Sequence, residues 1–196
     1  MQKYGLLSEI RRRRKYRQMG QYTHTYENKL SRNFYADKPN MKWVTDIACI
    51  RTHQDFLCIS VVRDLFDNSI VAYKTGTEQT VNPVLRTIKE AKEREVVTTE
   101  LQLHSDQGFQ YTSREYFNLT KEYGITPSMS RRGNCYDNAM AENFFSILKA
   151  ECINRHTLHS FDEARSLIDE YMHFYSHERT QLKAKLTPLE KRRQFT

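Results

Sequence analysis

No apolar run in this chain approaches the roughly 18 residues needed to cross a bilayer, and the N-terminus carries neither the apolar stretch nor the small-residue cleavage site of a secretory signal. The chain is therefore read as intracellular, with no membrane partner. There are no internal repeats and no low-complexity tracts, which excludes solenoids and compositional linkers. Cysteines are few: Cys49, Cys58, Cys135 and Cys152 form no Cys-x-x-Cys pair, so neither a disulfide framework nor a zinc knuckle is indicated. All four are read as reduced, mostly buried thiols. His173 and His177 stand one helical turn apart but lack a third ligand, and they are not assigned to zinc.

What is present suits one globular domain with appendages: 196 residues, 38% hydrophobic, 12% aromatic and 28% charged. The net charge of +7 is unevenly spread. Residues 1–40 hold ten Lys and Arg against Glu9, Glu27 and Asp37, so that segment alone carries the whole excess. Arg11, Arg12, Arg13 and Arg14, followed by Lys15 and Arg17, form a basic arm suited to phosphate backbones through counterion release, although a solvated charge run has the same composition. The turn-prone Asp37-Lys38-Pro39-Asn40 closes this arm, taken as residues 1–38.

Beyond it the hydrophobic period changes. Trp43 to Ile50, Phe56 to Arg63 and Ser69 to Gly76 read as a three-stranded meander. Val81, Val84, Leu85, Ile88 and Ala91 fall at helical spacing within Thr80 to Glu95. A strand is expected at Glu100 to Ser105, and a helix capped by Thr112 or Ser113 is expected to stop at Gly124. Ile125 to Ser130 reads as a strand, Asn138 to Ile153 as a helix, and Ser160-Phe161-Asp162-Glu163 as a capping box opening a helix towards His177. This order describes an α/β fold of ribonuclease H-like type: a mixed five-stranded sheet with flanking helices over residues 39–155, and a helical C-terminal extension over 156–196.

Three acids stand out. Asp46 interrupts Trp43 to Ile50, a run apolar on both faces, where an ionised carboxylate needs hydrogen bonds, a cation or a metal. Asp106 ends a strand ahead of Gln107-Gly108, a position that serves function or simply stabilises its own turn. Glu142 points away from the apolar stripe of Met140, Phe144, Ile147 and Leu148, roughly 160° around the helix from Met140 and Phe144, and Lys149 returns to nearly the same face two turns later. Together the three carboxylates offer hard oxygen ligands for two magnesium ions about 3.5–4 Å apart, the arrangement that activates an attacking hydroxyl and stabilises a leaving oxygen in phosphodiester chemistry.

Lys42-Trp43-Val44-Thr45-Asp46, His104-Ser105-Asp106-Gln107-Gly108 and the run from Arg131 to Glu142 resemble bacterial insertion-sequence transposases of the IS-three type. Thirty-five residues separate Asp106 from Glu142, and Lys149 follows Glu142 by seven, an interval similar to that of retroviral integrase cores. The resemblance covers residues 38–193. It implies a transposase that nicks element ends and joins the freed 3′ hydroxyl by in-line transesterification, with Asp46, Asp106 and Glu142 as catalytic metal ligands for two Mg2+ ions, or Mn2+ in their place. It also implies Lys149 near the reacting DNA end, and it fits the lack of a nucleotide-binding glycine loop. Arg131 and Arg132 are expected to grip phosphates while Asn134, Tyr136 and Asn138 reach bases or sugar. The implied partners are terminal inverted repeats, target DNA, further copies in a synaptic complex and a helix-turn-helix product, in the bacterial cytoplasm at the nucleoid. Relatives of this kind carry a longer N-terminal region, so Met1 is read as the start of a truncated copy. Phe174 to Arg179 and Leu186-Thr187-Pro188 resemble the family's C-terminal signature, with Ser176 in place of an Asn. Two alternatives share the three acids: a ribonuclease H-like nuclease that hydrolyses with water, and a catalytically silent DNA-binding remnant.

Overall fold

A computed structural model describes residues 24–195; Arg11, Arg12, Arg13 and Arg14 lie outside the described residues. Five strands, β1 (Lys42–Arg51), β2 (Phe56–Asp64), β3 (Ile70–Gly76), β4 (Leu101–Ser105) and β5 (Ile125–Met129), form one sheet in the order β3-β2-β1-β4-β5. The first three are antiparallel neighbours, while β4 and β5 extend the sheet in parallel from β1. Helix α1 (Asn82–Arg94) supplies the crossover from β3 to β4, and α2 (Arg114–Glu122) that from β4 to β5. Helices α3 (Ala139–Glu151), α4 (Phe161–His177) and α5 (Pro188–Arg193) follow.

Period-2 alternation decides which helices cover which face. Leu57, Ile59 and Val61 point into a core with Phe144, Leu148, Ile168 and Tyr175, under α3 and α4. Trp43, Val62 and Leu103 point the other way, against Val84 and Ile88 of α1 and Tyr116 of α2. Strand β2, covered on both sides, is buried from Leu57 to Asp64.

The helix signals act largely as their chemistry dictates. Ser113 Oγ accepts from the Tyr116 amide at 3.2 Å, and Gly124 at φ +60° ends the α2 segment in a conformation that favours glycine. Ser160 Oγ likewise accepts from the Glu163 amide at 3.1 Å, but the Glu163 carboxylate takes the amide of His159, not that of Ser160, so the box is displaced by one residue. The buried face of α3 is Ala141, Phe144, Phe145 and Leu148, with Met140 and Ile147 only half-buried. The stripe is thus rotated from expectation because both phenylalanines turn inward.

Two expectations are corrected. Cys49 and Cys58 sit opposite each other in the β1–β2 ladder, Cα–Cα 4.0 Å, with their sulfurs joined in a disulfide. Strand pairing creates that proximity, which spacing along the chain does not display; Cys152 is a buried free thiol as expected. Second, part of the supposed arm is packed. Leu30 and Ala36 are buried with Val44, Leu65 and Ala141, the His24 ring stacks on Phe117 at 4.3 Å, and the Met129 amide donates to Glu27 O at 3.3 Å. This strap, residues 24–36, is irregular because it hydrogen-bonds to several elements in turn and has no single ladder.

Candidate active site

The parallel register Lys42↔Gln102, Trp43↔Leu103, Val44↔His104, continued by two residues, sets Asp46 beside Asp106. Asp46 is therefore in the middle of the sheet because β1 is its central strand, and Asp106 is beside it because β4 ends there. Both are half-buried. Each carboxylate is turned by one local amide: Asp46 Oδ1 accepts from Ile47 N and Asp106 Oδ1 from Gly108 N, both at 2.8 Å. A Cβ on Gly108 would lie 2.9 Å from Asp106 Oδ1, so the absence of a side chain there keeps the carboxylate in place.

Burial, then the Asp106 charge, push the Asp46 carboxyl up to about 7, with Glu142 adding to the rise and the Ile47 amide and Lys149 opposing it. Burial also raises Asp106, against the Gly108 amide. Beneath them Tyr111 is fully buried, its hydroxyl 3.3 Å from Thr45 Oγ1 and held protonated by burial and by both aspartates. Sequence reasoning passed over Tyr111, whose only signal was a large aromatic shortly after the Asp106 turn. Glu142 and Lys149 are exposed on one face of α3, as their spacing predicts. Among the described residues no three His, Cys, Asp or Glu side chains stand close enough to share an ion. The fold brings Asp46 and Asp106 together and leaves Glu142 within electrostatic reach of Asp46 but outside a ligand cluster. Two hard oxygen donors set side by side suit Mg2+ or Mn2+ and not softer metals.

The expected DNA-contact residues divide. Arg132 and Tyr136 are exposed, and Tyr136 lies under the Arg32 guanidinium at 5.6 Å. Arg131 is paired with Asp137, Nε–Oδ2 2.9 Å, although its side chain is 64% exposed. Asn134 caps the short 3-10 turn Cys135–Asn138 by accepting from the Tyr136 amide. Asn138, expected to reach bases or sugar, is only 2% exposed where the turn runs into α3. Beside Lys149 a depression of about 290 Å³ is lined also by Arg51 and His156, residues the sequence alone did not connect. The His173 and His177 rings stack at 4.2 Å and belong to no ligand cluster. No helix among the described residues is long and apolar enough to cross a membrane.

The raised carboxyls make a testable link between pH and stability. A folded-state pKa above the unfolded value means the folded protein holds the extra proton, so stability falls as pH rises from about 4 towards 7. Metal-free protein is expected to melt at lower temperature at pH 8 than at pH 5, with Mg2+ restoring more at pH 8 and Asp46→Asn flattening the slope. Calorimetry in chelator and in Mg2+ checks this; a slope unchanged by Asp46→Asn refutes it.

Comparison with known proteins agrees with this geometry. Two models described as integrase core domain match residues 36–135 and 123–181. The InsK transposase of insertion element IS150 from Escherichia coli K12 is 40% identical over 95% of this chain and 65% of its own length. A transposase-like protein of Haemophilus influenzae is 38% identical over 99% of this chain and 90% of its own. The InsF transposase of IS3A from Escherichia coli is 34% identical over 74% of this chain and 51% of its own, so the chain spans between half and nearly all of the relatives it matches. Among solved structures, the HTLV-2 integrase catalytic core domain in complex with magnesium shares the fold, with TM-score 0.62 and 15% identity over 81% of this chain and 99% of that one. By sequence the chain belongs to the integrase core family, with insertion-sequence transposases among its relatives, and its fold is that of retroviral integrase cores.

Proposed function

We propose that this chain cuts and joins the ends of an insertion sequence by metal-dependent transesterification, with Asp46, Asp106 and Glu142 as its catalytic carboxylates. One observation carries the reading: two half-buried acids are placed side by side by the pairing of a central strand with its parallel neighbour, with a third acid in electrostatic reach on α3. Bound divalent cations, Mg2+ or Mn2+, supply charge neutralisation at the attacking and leaving oxygens of the phosphodiester. The magnesium bound to the HTLV-2 core supports that choice.

The chain's own part is positional. Asp46 and Asp106 present oxygens from the central strand β1 and from the end of its neighbour β4, and the buried Tyr111 keeps the floor beneath them dry. Lys149 and Arg51, which line the same depression, face a phosphate backbone leading away from the carboxylates, and Arg132 and Tyr136 stand at the other end of α3. The DNA partners are the element's terminal repeats and a target duplex, engaged by more than one copy of the chain.

The test is to incubate the purified chain with labelled DNA bearing the element's terminal repeat, with Mg2+ or with chelator. Joined products in Mg2+ alone support the transposase. Nicks without joining select the nuclease, and binding without breakage selects the silent remnant. The same duplex tests the phosphate track: Lys149→Ala is expected to reduce the slope of log affinity against log salt by about 0.9, one phosphate contact, as read by fluorescence anisotropy. An unchanged slope would remove Lys149 from the interface.

A further inference from the structure

Asp137 is the one acid in the described structure whose carboxylate collects donors from both the strap and the turn ahead of α3, and the chemistry above gives it no part. Its side chain is completely buried. Oδ1 accepts from Arg32 Nε at 2.8 Å and Arg131 Nη2 at 3.2 Å; Oδ2 accepts from Arg131 Nε at 2.9 Å, the Arg131 amide at 3.2 Å and Asn28 Nδ2 at 3.0 Å. The two guanidinium groups hold its carboxyl far below the usual carboxylate range. It is therefore anionic across the pH range in which a nuclease or transposase works.

Its place in the chain gives this hub its meaning. Asp137 lies in the 3-10 turn Cys135–Asn138, which runs directly into α3, and Glu142 is in the first turn of that helix. No hydrogen bond reaches the Glu142 carboxylate among the described residues, so its position follows from where α3 begins. Asn138, the residue at the helix N-cap, makes no side-chain cap hydrogen bond, so the ordinary device for fixing a helix start is missing here. The strap grips the other half of the site as well: the Leu30 amide donates to Ser128 Oγ at 3.1 Å, and that hydroxyl meets His104 Nδ1 at 2.8 Å, two residues ahead of Asp106. One irregular segment thus reaches, through Ser128 of β5, the strand that ends just ahead of Asp106 and, through Asp137, the turn that starts the helix of Glu142. Most of it lies ahead of residue 36, where the integrase core match begins.

We infer that Asp137 is a positioning residue: by tying the strap through Asn28 and Arg32 to the turn ahead of α3, it sets where Glu142 stands relative to Asp46 and Asp106. The inference rests on the metal reading of those three acids. It also reassigns Arg131, whose guanidinium is engaged by Asp137, from a phosphate contact to part of this clamp.

The experiment uses the full chain without DNA and reads Mn2+ affinity by the electron paramagnetic resonance of the free ion, with amide hydrogen exchange over residues 139–143 and a thermal melt alongside. Asp137→Asn is expected to weaken Mn2+ binding about tenfold, the scale of outer-sphere support for a metal site, and to speed exchange at the start of α3. Arg32→Ala should move both readouts in the same direction by a smaller factor, and Arg32→Lys should recover part of the loss. A folded Asp137→Asn protein, or Arg32→Ala should the first not fold, that binds Mn2+ within twofold of wild type would make the clamp merely structural and overturn the inference. Asp46→Asn separates the two readings: it should abolish Mn2+ binding with exchange at α3 unchanged. Retained binding in that variant would overturn the metal reading itself and, with it, the role given to Asp137.

Discussion

Asp46→Asn is expected to lower metal-dependent cleavage of end DNA by at least about a thousandfold, a barrier increase of ~4 kcal/mol, while DNA affinity stays within about twofold because phosphate contacts dominate binding. The asymmetry follows from where Asp46 sits. Its strand is central, its neighbour on β2 is the buried Val61, and its carboxyl is already pushed up to about 7 by burial and by Asp106. An amide of the same size removes a charge that this setting disfavours, so the variant should fold as well as wild type and melt no lower at pH 8. What it loses is an anionic oxygen that draws a cation. Cleavage, DNA binding and melting temperature measured on one preparation separate the outcomes. Cleavage within tenfold of wild type would end the assignment of Asp46, whereas joint loss of cleavage, binding and melting cooperativity would indicate damage to the fold.

The legible and illegible parts of this molecule divide along a physical line. Strands and helices could be read because each shows its period within a dozen residues: Leu57, Ile59 and Val61 alternate along β2, and Val84, Ile88 and Ala91 recur along α1. The neighbourhood of Asp46 and Asp106 followed from the order of elements and from motifs resembling the family. Contacts between distant segments left no local trace. Cys49 and Cys58 look unrelated until the β1–β2 register pairs them, and nothing around Asn28 or Arg32 indicates that both end on Asp137. The polar run around Asp137 reads equally as a DNA-facing surface or as a buried clamp. Only the direction of each side chain separates the two: Arg131 is paired with Asp137 and Asn138 is buried, whereas Arg132 and Tyr136 are exposed. Helix α5 was missed for a related reason: six residues, Pro188–Arg193, are too few for a helical period to show. Its capping box, Thr187 with Glu190, opens in the Leu186-Thr187-Pro188 signature and could have marked its start.

That short helix carries the largest stability effect. Arg192 reaches from α5 into the turn between β2 and β3, where Nη1 donates to Asp67 Oδ2 at 2.7 Å, Ser69 Oγ at 3.1 Å and Asp64 Oδ2 at 3.3 Å. Nη2 donates to Asn40 Oδ1 at 2.8 Å and pairs with Glu95 Oε2 at 2.7 Å. Asp64 and Asp67 are wholly buried and Arg192 is 13% exposed. Burial pulls the guanidinium down, but Asp67, Glu95 and Asp64 outweigh it and leave Arg192 more firmly protonated than usual. Burial and then Asp67 raise the Asp64 carboxyl, against the Phe66 and Asn40 amides and Arg192. Removing this cation would leave the carboxylates of Asp64, Asp67 and Glu95 without their shared partner, so Arg192→Ala is expected to destabilise the protein by about 3–5 kcal/mol at pH 7, the usual outcome when one partner of a buried ion pair is deleted. For a chain of this size that is a fall in Tm of roughly 6–20 °C. Arg192→Lys should recover only part, since one ammonium cannot span Asp67, Ser69, Asn40 and Glu95 at once. The sign of the pH dependence is fixed by Asp64: without Arg192 its already raised carboxyl rises further, the folded protein takes up a proton there as pH falls from 7 towards 4, and the deficit shrinks over that interval. Adding Asp67→Asn to Arg192→Ala should likewise return part of the loss at pH 7 by removing one of the stranded charges. Urea unfolding of the three variants at pH 7 and pH 5 decides the matter. A loss below about 1 kcal/mol for Arg192→Ala, the level of an exposed pair, would mean that α5 rests on the domain and does not lock it.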